Sequence, residues 1–183
     1  MNMAASEVAL SPKRRVLLLT NVEAGQSNVI VAVGHELHVR GADVHFAALP
    51  GFKRILDKAL PEITFHPLSG PDLKTIWMSE PALNTEATRT MSTNLLKMWF
   101  DIRAALTSVF PWSGPQYVEL YNSVLNVIST VKPDICVVDP ALNPALTAML
   151  AIKQPFVILA PNTIKDFAIH AQPLWHQFAK FPW

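Results

Sequence analysis

Cysteine is almost missing from this chain. Cys136 stands alone among 183 residues, so an internal disulfide is excluded and a reducing compartment suits the sequence. Net charge is scarce too: 15 Lys and Arg against 14 Asp and Glu leave +1, which gives no reason to expect nucleic acid as a partner. The basic run Lys13-Arg14-Arg15 reads as a solvated lead-in to a strand. No apolar run approaches the roughly 18 residues that a membrane-crossing helix needs. Residues 1–12 also lack the long apolar core of a secretory leader, so a cytoplasmic protein is the expectation. Internal repeats and low-complexity segments are absent, and no metal is expected. The first strand is not followed by Gly-x-Gly-x-x-Gly and the second does not end on an acidic residue, which disfavours a flavodoxin-like or NAD-binding domain.

What is there is hydrophobic. At 50% apolar residues, the chain can bury one sizeable core, and a single domain is the default. Residues 15–52 carry the clearest pattern. Val16-Leu17-Leu18-Leu19 is continuously apolar, as in a parallel strand buried on both faces. Residues 21–26 read as a turn, after which Ser27 or Asn28 can cap a helix. That helix repeats its apolar positions at Ile30, Val33 and Leu37, and Gly41 sits where a left-handed end is wanted. A second strand is predicted over residues 44–48. Together these form an opening βαβ unit.

Downstream, a short helix is predicted over 52–60 and a third strand over 63–67. Residues 69–90 lose all periodicity and embed Trp77 and Met78; a connection of this length is usually functional or mobile. Leu95, Trp99, Ile102, Leu106 and Val109 mark one face of a helix that ends before Pro111. A further helix follows Pro115, with Val118, Tyr121, Leu125 and Ile128 on one side. A fourth strand is predicted over 135–139, a helix over 144–152 and a fifth strand over 156–160. The expected fold is an α/β, Rossmann-like parallel sheet of about five strands with helices on both faces. Right-handed crossovers limit the simplest order to 3-2-1-4-5. Strands 1 and 4 are then neighbours whose connections leave to opposite faces, and ligands of open α/β sheets bind beyond such a switch point. The loop 21–26 and Asp139 should meet there.

Gly25, Asn28, Leu37 and Gly41 keep the register of a known pattern, in which the first loop and helix read Gly-His-x-Asn-Pro, then apolar residues, Leu and Gly. With Pro133-Asp134-Ile135-Cys136-Val137-Val138-Asp139 and the later Gln154-Pro155-Phe156-Val157-Ile158-Leu159, the chain resembles the N-terminal, acceptor-binding domain of UDP-sugar-dependent glycosyltransferases of the two-Rossmann-domain GT-B type. Gln26 stands where that family usually has its catalytic histidine, and Val29 where it often has proline. A glycine-glutamine variant is familiar from fungal-type sequences, some with a histidine just before the glycine; here that residue is Ala24. In many relatives an Asp at the position of Asp139 hydrogen-bonds the loop histidine, which takes the proton from the acceptor hydroxyl. An amide cannot do this.

Three accounts stay open. Asp139 is itself the base, if burial raises its pKa; another histidine, such as His170, reaches the site; or the chain is a non-catalytic or altered form, with Ala24 or Gln26 marking the loss. The resemblance makes Asp139, Gln26 and Ala24 the candidate catalytic positions, and Asn21, Gly25, Trp77, Met78 and His170 the candidates for acceptor contact. Each also has a plain reading: Gly25 as a turn residue, Asp139 as a cap for the next helix, Trp77 and Met78 as core. His35, His38 and His45 read as ordinary helix and strand residues.

The resemblance further implies transfer of a hexose, glucose first, to a hydroxyl of a lipophilic small molecule, with the UDP-sugar as co-substrate and no other cofactor. Residues 1–13 are expected to be a flexible N-terminus, 14–170 the acceptor-binding domain, and 171–183 an aromatic tail leading toward an absent donor-binding domain. Leu174, Trp175, Phe178, Phe181 and Trp183 crowd that tail, and so much apolar surface calls for a partner. The alternative function is a non-catalytic binding module or the acceptor-binding subunit of a two-chain glycosyltransferase.

Overall fold

Five short strands, the central ones largely apolar, pair in parallel into one sheet. The computed structural model describes residues 13–22, 24–71, 75–76, 112–161 and 173. In chain order its elements are β1 (Arg15–Leu19), α1 (Ala24–Val39), β2 (Asp43–Ala48), α2 (Lys53–Ala59), β3 (Thr64–Pro67), α3 (Gly114–Val131), β4 (Ile135–Val138), α4 (Asn143–Ile152) and β5 (Phe156–Ile158). The sheet order is β3-β2-β1-β4-β5, as expected from the crossover rule. Leu19 lies opposite Ala47 on one side and Val138 on the other.

The unbroken apolar run of β1 is explained by its place. It is the central strand, and Val16 to Leu19 are all buried. Alternation splits them between two cores. Leu17, Leu19, Ala47, Cys136 and Val138 face α3 and α4, whereas Val16, Leu18, Val44, Phe46 and Ala48 form the other cluster with Ile30 of α1 and Leu56 of α2. Cys136 is fully buried there, and burial pushes its thiol up to about 12, so it is an inert core residue.

Helix α1 ends as its glycine predicts. Gly41 has φ of 87°, the Ala42 N–H donates to Leu37 O at 3.0 Å and the Gly41 N–H to His38 O at 2.8 Å, a Schellman closure. Its beginning differs from the expectation. The helix starts at Ala24, so Ala24, Gly25 and Gln26 form its first turn instead of a loop, and Ser27 is a buried helical residue instead of a cap. Ala and Gln are good helix formers, and their preference carries the helix back toward β1. The fifth strand stops at Ile158, two residues early. The plain stretch around Trp77 and Met78, the helix expected over 95–109, His170 and nearly all of the tail lie outside the described residues.

One close approach fixes how α1 lies on the sheet. A Cβ added at Gly34 would overlap the Phe46 ring, with Cε2 at 2.7 Å, and that ring is fully buried and stacked on Phe52 at 5.9 Å. Gly34→Ala gains about 1 kcal/mol of helix propensity but overpacks this contact at about 1–3 kcal/mol. A net loss of up to about 2 kcal/mol in urea denaturation is expected, largely recovered by adding Phe46→Leu. A raised midpoint for Gly34→Ala alone would show that α1 can slide.

Candidate functional site at the β1–β4 switch

The carboxyl ends of β1 and β4 are adjacent, and their connections leave to opposite faces. The ladder continues past both strands: the Asp139 N–H donates to Leu19 O at 2.9 Å and the Thr20 N–H to Ala47 O at 3.2 Å. This brings Thr20, Asn21 and Asp139 together, all three completely buried.

Asp139 joins the two connections through both carboxylate oxygens. Oδ1 accepts the Ala141 N–H at 2.8 Å, an Asx turn over Pro140. Oδ2 lies 3.2 Å from the Thr20 hydroxyl and 3.4 Å from the Asn21 N–H. The Thr20 hydroxyl has one proton and a second acceptor, Asn21 O at 3.3 Å. Burial raises the Asp139 carboxyl above the ordinary carboxylate range, and the hydrogen bonds from Ala141, Asn21 and Thr20 oppose this without cancelling it. Asp139 does not cap α4 directly. The Leu142 N–H donates to its carbonyl at 3.0 Å, and α4 begins at Asn143.

Of the residues anticipated here, Asp139 and Asn21 meet. Ala24, Gly25 and Gln26 occupy the first turn of α1, which leaves from the same edge, and Gly25 is exposed with open space around it. Thr20 was not anticipated from the sequence. Its signal is a lone hydroxyl that follows four apolar residues without a break in the ladder. Two further polar atoms belong to the helices that start at this edge: Ser27 Oγ in α1 and Asn143 Nδ2 in α4 are buried and lack a hydrogen-bond partner among the described residues. Buried polar groups are nearly always paired, so these two stand out.

Among the described residues no group of three His, Cys, Asp or Glu side chains could hold a metal ion, and no helix is long and apolar enough to cross a membrane.

The Asp139 carboxyl makes the pH dependence specific. Its folded pKa is raised above its unfolded value, so the folded chain binds the proton first as pH falls. The stability this gives is fully present below the unfolded pKa and lost as pH rises through the folded one. Asp139→Asn cannot titrate, and its amide sets an N–H against a donor at one of the two oxygen positions, at a cost of about 1–3 kcal/mol. The stability gap between native protein and variant, read from urea denaturation, is expected to be wider at pH 4 than at pH 7.5. A gap that does not change would show that Asp139 titrates ordinarily.

No protein-family model matches the chain, and no curated protein sequence matches it either. Solved structures do match. A glycosyltransferase of kitacinnamycin superposes with a TM-score of 0.56 at 12% identity, over 94% of this chain and 37% of that one. The glycosyltransferase VinC, solved in complex with dTDP, gives 0.54 at 15% identity, over 89% and 40%. The spinosyn rhamnosyltransferase SpnG, solved with spinosyn aglycone, gives 0.54 at 17% identity, over 80% and 34%. This chain thus spans well under half the length of the enzymes it matches, and what it shares with these GT-B glycosyltransferases is the fold of its five-stranded parallel sheet.

Proposed function

We propose that this chain is the acceptor-binding half of a nucleotide-sugar glycosyltransferase, which transfers a hexose, glucose first, from a UDP-sugar to a hydroxyl of a lipophilic small molecule. The observation that carries this reading is the Asp139 carboxylate, buried at the switch point and fastened to the start of the β1–α1 connection, in a sheet of the glycosyltransferase type. Ser27 Oγ and Asn143 Nδ2 at the same edge, unpaired among the described residues, support a site that a polar ligand completes. Asp139 serves as a positioning residue: with both oxygens engaged and no exposed surface, it holds the two connections in register and stabilises a cation placed against them. The donor nucleotide and sugar are held by a second domain or partner chain outside residues 1–183.

Gln26 in the first turn of α1 favours a second reading, a binding module without transfer activity. An amide cannot take the acceptor's proton, and Ala24 offers nothing in its place.

Acceptor binding and turnover separate the readings. Isothermal titration of the 183-residue chain with phenolic and sterol acceptors should show binding, while UDP-glucose is not consumed until a donor-binding half is supplied. Product from this chain alone, or no acceptor bound, would contradict the half-enzyme. In the completed enzyme, Ala24→His or Gln26→His should raise turnover by on the order of 10²–10⁴, and Asp139→Asn should remove most of that gain. A failure of histidine at both positions would favour the binding module.

A further inference from the structure

A second chain of polar contacts lies away from the switch, on the sheet face that packs against α3. Arg15 Nε donates to Asp43 Oδ2 at 2.9 Å. Asp43 Oδ1 lies 3.3 Å from His45 Nε2, within ion-pair reach of a buried nitrogen that makes no hydrogen bond among the described residues. His45 Nδ1 is 3.0 Å from His66 Nε2 on β3. The chain therefore runs across three strands, from β1 through β2 to β3, the outermost strand of the sheet on that side.

The proton positions follow from charge. Arg15 beside Asp43 holds its carboxyl below the usual range, so Asp43 is an anion at neutral pH. A bare imidazole nitrogen facing a carboxylate would be repelled, so His45 carries its proton on Nε2. Its Nδ1 is then an acceptor, and His66 must donate from Nε2. One basic position remains in the chain, His66 Nδ1. A proton there makes His66 a cation beside His45, in a partly buried place. Desolvation first, then His45, pushes the His66 pKa down.

The surrounding groups leave little to offset that charge. From α3 the residues turned toward this face are the apolar Leu120, Val124, Val127 and Val131. The neighbours of His45 across the strands are the apolar Leu17 on β1 and the neutral Thr64 on β3. Arg15 also reaches Val131 O through Nη1 at 2.7 Å, and its backbone N–H donates to Asp134. His38 and Glu62 pair with each other at 3.8 Å. Asp43 is the anion in the chain, and it is already shared with Arg15.

We propose that Asp43, His45 and His66 form a one-proton relay that ties the outer strand β3 to the sheet at neutral pH and loosens it on acidification. On β3, Thr64 and Pro67 are exposed and its middle residues only half-buried. Its other side-chain anchor is Phe65, whose ring lies 6.4 Å from Phe52 on the opposite face. The backbone ladder to β2 and the buried Ile63 and Leu68 at its ends also hold it, and the His45–His66 bond adds a side-chain link between the two strands. For a base whose folded pKa is lowered, the stability present at neutral pH is lost as pH falls below the unfolded value, about 6.5 for histidine.

The test is imidazole ¹⁵N spectroscopy on the labelled 183-residue chain from pH 8 to 5, with amide-exchange protection factors over β3. At pH 8 both rings should carry the proton on Nε2. Below about pH 6.5 the opening constant of β3 should rise toward tenfold per pH unit, the limit for one proton. His66→Gln presents an amide N–H to His45 Nδ1 and takes no proton, so it should keep the neutral-pH protection and flatten the acid dependence. A proton on Nδ1 of His45 at pH 8 would overturn the relay, as would equal pH dependence of β3 in native chain and variant. The spectra of the unaltered chain decide the matter even if the variant does not fold.

Discussion

Thr20 and Asp139 are 119 residues apart in sequence and meet because β1 must be buried on both faces. A strand reading Val-Leu-Leu-Leu finds no stable place at a sheet edge. It needs β2 on one side and β4 on the other, with helices above and below. Joining β1 to β4 closes a loop of more than a hundred residues, and the entropy of that closure grows only slowly with length. Once the two strands pair, the rest follows. The helices after them depart to opposite faces, a crevice opens at the carboxyl edge, and the first polar residues past each strand are forced together.

What those residues do there runs against stability. A carboxylate with no exposed surface, and no cation paired with it among the described residues, carries a desolvation penalty. Three hydrogen bonds reduce that penalty, yet the carboxyl stays above its usual range. Two polar atoms without a partner among the described residues, Ser27 Oγ and Asn143 Nδ2, belong to helices starting at the same edge. The core beneath it, by contrast, is apolar throughout: Leu17, Leu19, Val138 and Met149 are fully buried. Among the described residues, buried polar atoms without a hydrogen bond gather at this edge, with His45 Nε2 the exception on β2, and such departures concentrate where a protein binds or reacts.

Much of the fold was legible in the sequence because its signals are local. The apolar run at β1, the helical spacing of Ile30 and Leu37 and the glycine at 41 each specify one element, and the handedness of crossovers then orders the strands. The start of α1 was not legible in the same way. Ser27 and Asn28 are strong capping residues, but the propensity of Ala24 and Gln26 extends the helix back past them. The site was half legible. Asp139 stands out as a carboxylate after an apolar strand, whereas Thr20 and Ser27 gain meaning only when the sheet has been assembled. Gly34 and the His45–His66 pair belong to the same class, since a close helix approach and a contact between strands leave no trace in spacing along one segment.

The central claim is that ligands of this chain bind at the carboxyl edge, over the junction of β1 and β4. Amide chemical-shift mapping on the ¹⁵N-labelled protein, titrated with a phenolic acceptor, addresses it directly. The account predicts that the largest shifts fall on residues 20–27 and 139–145, the two connections that Asp139 holds together. Shifts clustered instead at the amino edge, around Arg15, Asp43 and Asp134, would contradict it.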